Sequence, residues 1–306
     1  VILCWLTSEW VFRTYSFLVS PLFPMVSLAM SFGILTFTRM YHTEQDKAQI
    51  RQAFSRYVAP ALVNEIANHP ERLNLEGEEK EVSILFSDIR QFTALSEHLS
   101  PTEVTTLLNQ YLTPITRIIR QHQGTLDKFI GDAVMAFWNA PLDVAHHQRC
   151  ALLACIRMLE ELKQLNVQFK EDFVLEIGVG IGLHSGLVRV GNMGSDDLFD
   201  YTILGDNVNL TSRLEGLTRY YGVDLIVSET IKDIAVEGYE VQEVDLVRVK
   251  GREGTVQLYT FRRSASLAAY ELRLWEKAFD LYRKGLFREC IVHLKELHEL
   301  APDFTL

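Results

Sequence analysis

The sequence predicts a mixed α/β (α+β) domain, with helices laid over one sheet, an apolar segment before it and a helical tail after it. Three observations carry this reading. Strand-like and helix-like runs alternate from Glu81 to Phe261, the pattern of a layered sheet-and-helix domain. No charged residue occurs from Thr14 to Thr38. Beyond about Leu267, apolar residues return at helical spacing.

Residues 1–38 read as a transmembrane segment, because about 20 mainly apolar residues cross a bilayer as a helix and the charge-free run closed by Arg39 is longer than that. Pro21 and Pro24 interrupt its first half, so a buried or interfacial helix starting near Pro24 is the alternative. The opening VILCWLTS is also apolar and lacks an initiating Met. We therefore expect a truncated membrane region, with an upstream sensor absent from this sequence. Residues 39–75 read as a signalling stalk. Within them, Ile50, Phe54, Tyr57 and Val58 recur at helical spacing between charges, and a second helix from Pro60 to about Asn68 stops at Pro70. A surface helix packed on its own domain is the alternative.

Residues 76–263 hold the main domain. VSILF reads as a strand leading to Asp88. Ser100-Pro101-Thr102-Glu103 is a capping box with Pro at the first helical position, so a helix starts there and runs toward His122, with a bend expected at Pro114. GTLDKFIGDAVMAFW reads as a hairpin turning at Gly131-Asp132. A long helix is expected from about Val144 to Leu165. VLEIGVGIGLHSGLVRVGNMG reads as two strands joined near Ser185-Gly186, its glycines admitting a ligand or a neighbouring strand. In residues 264–306, Ala278, Gly285, Cys290, Leu294, Leu297 and Pro302 fall at the spacing of one tetratricopeptide-like repeat; a plain helical hairpin is the alternative. One repeat cannot bury its own face, so it either docks on the domain or continues into further repeats.

A net charge of −10 and the absence of a dense Lys/Arg stripe argue against a nucleic-acid partner and for a small ligand. The four cysteines show no C-x-x-C pairing, so neither a disulfide framework nor a zinc site is indicated, and a reducing cytoplasm fits. His146 and His147 beside Asp143 read as a polar helix start, and His184 as a packed core residue.

The chemistry centres on two aspartates, Asp88 in FSDIRQFT and Asp132 in DKFIGDAVMAFW, each where a strand gives way to a turn. Two strand-end carboxylates that meet across a sheet suit a hard divalent cation and a nucleotide phosphate. Taken singly, Asp88 reads equally well as a helix cap and Asp132 as a turn residue.

Together with GDNVNLTSRLEG at 205–216, these segments resemble the class III nucleotidyl (adenylate/guanylate) cyclase catalytic domain of bacterial membrane-anchored type, in the family's order, from about Phe54 to Phe261. The resemblance implies a ferredoxin-like βαββαβ core and conversion of ATP to 3′,5′-cyclic AMP and pyrophosphate. It implies two Mg²⁺ or Mn²⁺ ions per site on Asp88, Asp132 and the Ile89 carbonyl, with Phe92 and Thr93 in the loop beside the terminal phosphates. Lys128 and Thr202 fall at the base-selecting positions, where adenylate cyclases usually carry Lys with Asp or Thr and guanylate cyclases typically Glu and Cys. By the same resemblance Asn209 orients the ribose, Arg213 stabilises phosphate charge and Lys250 reaches the triphosphate. Family sites form between two catalytic domains, so the implied assembly is a homodimer, held by the inner membrane with its catalytic domains in the cytoplasm. Two departures stand out: Gln91 where the family usually has Gly, and Asp196 and Asp197 where an Arg at or beside Leu198 is frequent. A guanylate cyclase and a catalytically weak nucleotide-binding or dimerisation module are the competing readings.

Overall fold

The computed structural model describes residues 2–16, 26–27, 29–39, 77–195, 199–249, 254–263 and 269–300. The chain divides into two compact units, Val1–Val63 and Asn64–Leu306. In the first, α1 runs from Ile2 to Tyr15 and closes a turn with the Arg13–Glu9 ion pair at 2.6 Å. Residues 29–39 are helical as well. Among the described residues no helix is long and apolar enough to cross a membrane, so the expected span is not met there. The reason is length and charge. At 1.5 Å per residue the stretch 29–39 covers about half of a ~30 Å hydrocarbon core, and α1 carries Glu9 and Arg13. The expected stalk, residues 39–75, lies outside the described residues apart from Arg39.

The second unit is built on a sheet whose first half follows the chain as β1 (Glu78–Ile89), α2 (Phe92–Ser96), α3 (Pro101–Gln121), β2 (Thr125–Ile130), β3 (Ala133–Trp138), α4 (His147–Asp172) and β4 (Val179–Gly194). In space the strands lie β2-β3-β1-β4, each antiparallel to the next, which is the expected βαββαβ arrangement. β5 (Phe199–Leu204) folds back antiparallel on the far end of β4. Helix α5 (Asp206–Tyr221) then leads to β6 (Leu225–Ser228), parallel to β4, and β7 (Tyr239–Val247) and β8 (Val256–Arg263) extend the sheet past it in the order β6-β8-β7.

Alternation along β1 sorts its side chains to the two faces. Leu85 and Ile89 join Leu107, Tyr111 and Ile115 of α3 and Leu152, Met158 and Phe169 of α4 in the main core. Val82 and Ile84 face the other way, where Val208 of α5 and Ile203 of β5 meet them. The capping box forms as expected: the Ser100 backbone N–H donates to Glu103 Oε2 at 2.8 Å and Glu103 N–H to Ser100 Oγ at 3.3 Å. Helix α3 continues through Pro114, and α4 starts and ends later than its sequence pattern suggests.

One expectation fails outright. The glycine-rich segment is a single continuous strand, β4, with Ser185 paired to Ser83 of β1 where a break was expected. Its glycines serve a helix instead of a turn. A Cβ at Gly182 would lie 2.5 Å from both Glu215 N and Thr211 O, and one at Gly180 would lie 2.2 Å from Thr218 Oγ1, so α5 lies directly against the strand only because both residues lack side chains.

Helices α6 (Ala269–Arg283) and α7 (Phe287–Leu300) form a hairpin around Leu274, Trp275 and Leu297. The hairpin docks on β7 through the Arg283–Glu243 ion pair at 2.6 Å and a hydrogen bond from Tyr282 OH to Asp245 Oδ2 at 3.2 Å. A helical tail is therefore present, but its assignment as a tetratricopeptide repeat gains no support from this packing.

Candidate active site

Strand register brings the two aspartates together. Ser87 pairs with Val134, so the end of β1 lies beside the two-residue turn Gly131-Asp132 that joins β2 to β3. Gly131 takes the left-handed φ of 68° that this turn needs. The Asp88 and Asp132 carboxyls lie against each other, and burial, then this close side-chain contact and the Asp132 charge, push the Asp88 carboxyl up to about 6. The Ile89 backbone N–H, bonded to the same carboxylate, opposes the shift. Asp132 Oδ2 is buried without a hydrogen-bond partner. The Ile89 side chain is 3% exposed and anchors the strand end in the main core.

Three residues that the motifs did not single out surround this pair. Tyr111 is buried behind it, and burial, with the Asp88 and Asp132 charges adding, raises its phenol. Glu215 reaches from α5 over Gly180, the residue paired with Asp88. Burial pushes its carboxyl up to about 7, with Asp88 and Asp132 adding and Arg90 opposing. Arg90 ties the strand end to the chain after α5, donating to the Val223 carbonyl at 2.6 Å and pairing with Asp224 at 3.0 Å.

Gln91, next in the loop, has φ 56° and ψ 28° at the start of α2. This left-handed conformation explains the preference for Gly there, and a non-glycine residue holds it at a cost of about 1 kcal/mol. Phe92 packs against the main core, and Thr93 is exposed.

Lys128 and Thr202, the residues expected to select the base, lie at a second corner, where β2 meets β5. Lys128 Nζ donates to Asp200 Oδ2 at 3.1 Å and lies 3.5 Å from Asp127 Oδ1. Thr202, itself buried, donates from Oγ1 to Asp127 Oδ2 at 2.5 Å. Burial raises the Asp127 carboxyl, opposed by the Thr202 hydroxyl and the Lys128 ammonium. For Lys128, burial lowers the ammonium but Asp200 and Asp127 outweigh it, so its net shift is upward. Sequence reasoning singled out Lys128 and Thr202 but missed Asp127, which opens the motif DKFIGDAVMAFW, and Asp200, two residues before Thr202.

Helix α5 presents Asn209 and Arg213 one turn apart, away from the buried Leu210, Thr211 and Leu214. Its first turn is pinned by Asn207, whose Nδ2 donates to the Leu187 carbonyl at 2.9 Å and whose Oδ1 lies 3.1 Å from His184 Nε2. His184, also 2.6 Å from Ser228 Oγ, is a buried structural residue as expected. His146 and His147 stand at the start of α4 as expected, and His147 also turns into the protein, where Nδ1 sits 2.8 Å from Ser83 Oγ, while Asp143 pairs with Lys80 at 2.5 Å. Lys250 and residues 196–198 lie outside the described residues.

The described contacts bring together the facing carboxylates at the end of β1 and, at the β2–β5 corner, Lys128 and Thr202 on Asp127, while Asn209 and Arg213 lie on α5. A carboxylate pair on two strands, with Asn and Arg on a nearby helix, is the arrangement that the cyclase resemblance implied. The model of the family described as "Adenylate and Guanylate cyclase catalytic domain" matches residues 76–263, and the chain belongs to that family. It is 34% identical over 218 residues to an "Adenylate cyclase" of Anabaena cylindrica, covering 68% of this chain and 42% of the relative. Among solved structures, it resembles the adenylyl cyclase CyaB from P. aeruginosa (TM-score 0.57, 33% identity, 62% of this chain and 97% of that one). It also resembles the guanylyl cyclase Cya2 (TM-score 0.54, 31% identity, 60% and 93%). The chain spans less than half the length of the curated relatives it matches.

Proposed function

We propose that this chain is an adenylate cyclase that converts ATP to 3′,5′-cyclic AMP and pyrophosphate at sites shared between two copies. The observation that carries the reading is that Lys128 and Thr202 both contact Asp127 at one corner, in a chain that also holds the facing Asp88 and Asp132. Lysine offers donors only and suits adenine N1, an acceptor, whereas guanine presents N1–H there.

The donor set fits divalent cations. It is all oxygen, one buried Asp132 oxygen has no partner, and two adjacent carboxylates repel until a cation or proton lies between them. Asp88, Asp132 and the Ile89 carbonyl would hold Mg²⁺ or Mn²⁺, which when bound supplies Lewis acidity toward the triphosphate and the ribose hydroxyl.

The chain's own residues then position and stabilise. In the reaction the ribose 3′-oxygen attacks the α-phosphorus, its proton leaves, and the bond to pyrophosphate breaks. Lys128 and Thr202 fix the purine, and Asn209 fixes the ribose, so that the 3′-oxygen faces the phosphorus. Arg213, one turn further along α5, meets the charge that grows on the phosphate oxygens with a planar, permanently ionised fork. Phe92 and Thr93 lie in the loop that borders the terminal phosphates, and Lys250 is assigned to the same phosphates.

A second copy completes the site. The strands that carry Lys128 and Thr202 leave Phe129, Ile130, Phe199 and Leu204 exposed, a set of apolar side chains that suits a protein partner. For membrane anchoring, the support is the first unit, which exposes Trp10, Phe32, Leu35 and Phe37. We assign these to the inner membrane, with the catalytic unit in the cytoplasm and residues 39–75 as the connecting stalk.

Incubating the full chain with equimolar ATP and GTP plus Mn²⁺, and identifying products by mass, tests the reading. Cyclic AMP is the expected dominant product. Dominant cyclic GMP would make it a guanylate cyclase, and no cyclic product at all would leave a binding or dimerisation module.

A further inference from the structure

We propose that Asp127 is a specificity-determining positioning residue, which takes the single proton of the Thr202 hydroxyl and so makes Thr202 an obligate acceptor for the 6-amino group of adenine. The inference rests on the adenylate reading above and deepens it. A threonine hydroxyl has one proton and two lone pairs, so by itself it accepts from an amino group or donates to a carbonyl equally well. Alone it does not separate adenine, with an amino group at C6, from guanine, with a carbonyl there.

The neighbourhood removes that ambiguity. Thr202 Oγ1 donates to Asp127 Oδ2 at 2.5 Å. The Asp127 side chain is 1% exposed, so water does not compete for the bond. Burial raises the Asp127 carboxyl, and the Thr202 hydroxyl and the Lys128 ammonium, 3.5 Å from the other Asp127 oxygen, act against that shift by favouring the ionised carboxylate, which has no proton to offer in exchange. With its proton committed, Thr202 faces a ligand with lone pairs only. Lys128 retains donors beyond the one held by Asp200, since an ammonium carries three. The corner then presents one donor and one acceptor, which match adenine N1 and its 6-amino group and mismatch guanine at both places.

Chemistry also supplies a rescue. An ionised carboxylate at position 202 accepts without help, but next to Asp127 it would set two carboxylates against each other. Replacing Asp127 by Asn removes that conflict, because an amide can donate to a carboxylate. Asp127→Asn alone leaves a neighbour that both donates and accepts, and so releases the Thr202 proton to point either way.

The experiment measures kcat/KM of the full chain for ATP, GTP and purine riboside triphosphate, which lacks the 6-amino group, with Mn²⁺. The wild type prefers ATP to both. In Asp127→Asn the preference for ATP over the 6-unsubstituted analogue falls by about tenfold, the worth of one well-made hydrogen bond, while turnover of the analogue is retained. Thr202→Asp loses activity on every nucleotide, and Asp127→Asn/Thr202→Asp regains the ATP preference, which a purely structural role for Asp127 would not produce. An unchanged preference in Asp127→Asn, with ATP still favoured by the wild type, overturns this inference and leaves the adenylate reading intact. A wild type that favours GTP overturns both. Should Asp127→Asn not fold, the double variant decides: preference for ATP supports the proposal, and a double variant without it, folded or not, overturns it.

Discussion

Three carboxyl groups, Asp88, Asp132 and Glu215, converge where β1 ends. Asp88 is pushed up to about 6 and Glu215 to about 7, burial being the largest cause for each. Glu215 gives a clean prediction because it belongs to α5 and is not one of the proposed cation ligands. Its folded value lies above the ordinary 4.5, so between these values the folded protein holds more protons than the unfolded chain. Its contribution is therefore favourable at and below pH 4.5 and is lost as pH rises through about 7. In chelator-treated protein, Glu215→Gln is expected to raise Tm by a few degrees at pH 8 and to change it little at pH 4.5. An equal shift at both pH values, followed by circular dichroism, would show that the gain comes from packing and not from the charge. The corner proposed to read the base follows the same logic at the scale of single protons: Lys128 was legible through the cyclase-like motif DKFIGDAVMAFW, but the Thr202 hydroxyl donates to Asp127, a residue of that motif to which the resemblance gave no role.

Elements place these residues, and the tightest contact between elements is α5 on β4. Because a side chain at Gly182 would meet the α5 backbone at 2.5 Å, Gly182→Ala must push the helix outward, and with it Asn209 and Arg213. We expect a loss of about 1–3 kcal/mol in stability, as for other overpacked sites, and a fall in kcat exceeding any change in KM for ATP. Full kcat with reduced stability would show that the helix shifts without carrying its side chains off target. The same contact explains what the sequence concealed. Glycine in a strand pattern suggests a bulge or a break, so β4 was divided at Ser185-Gly186, and the helix that requires the glycines lies more than twenty residues further on. The hairpin around Asp132 and the capped start of α3 were legible because turn and cap chemistry are local. Asp88 and Asp132 could be paired by motif, and the register between β1 and β3 supplies the physical reason. Glu215 and Tyr111 were missed for the opposite reason, since only tertiary packing brings them to the carboxylates.

At the scale of the whole molecule, the account makes the monomer incomplete. One chain carries the carboxylates proposed to hold cations and also the residues proposed for base, ribose and phosphate, and among the described residues no described contact joins the two groups. If two copies bring the group of one to the group of the other, a symmetric dimer holds two sites and a monomer none. The most direct measurement is complementation. Asp88→Ala removes a cation ligand and Asn209→Ala a ribose contact, and each homodimer is expected to be inactive while remaining folded. After subunit exchange in an equal mixture, half of the dimers are mixed and each of these keeps one intact site, so the mixture should recover about a quarter of wild-type cyclic AMP formation. No recovery, with exchange demonstrated by co-purification of differently tagged chains, would contradict the shared site.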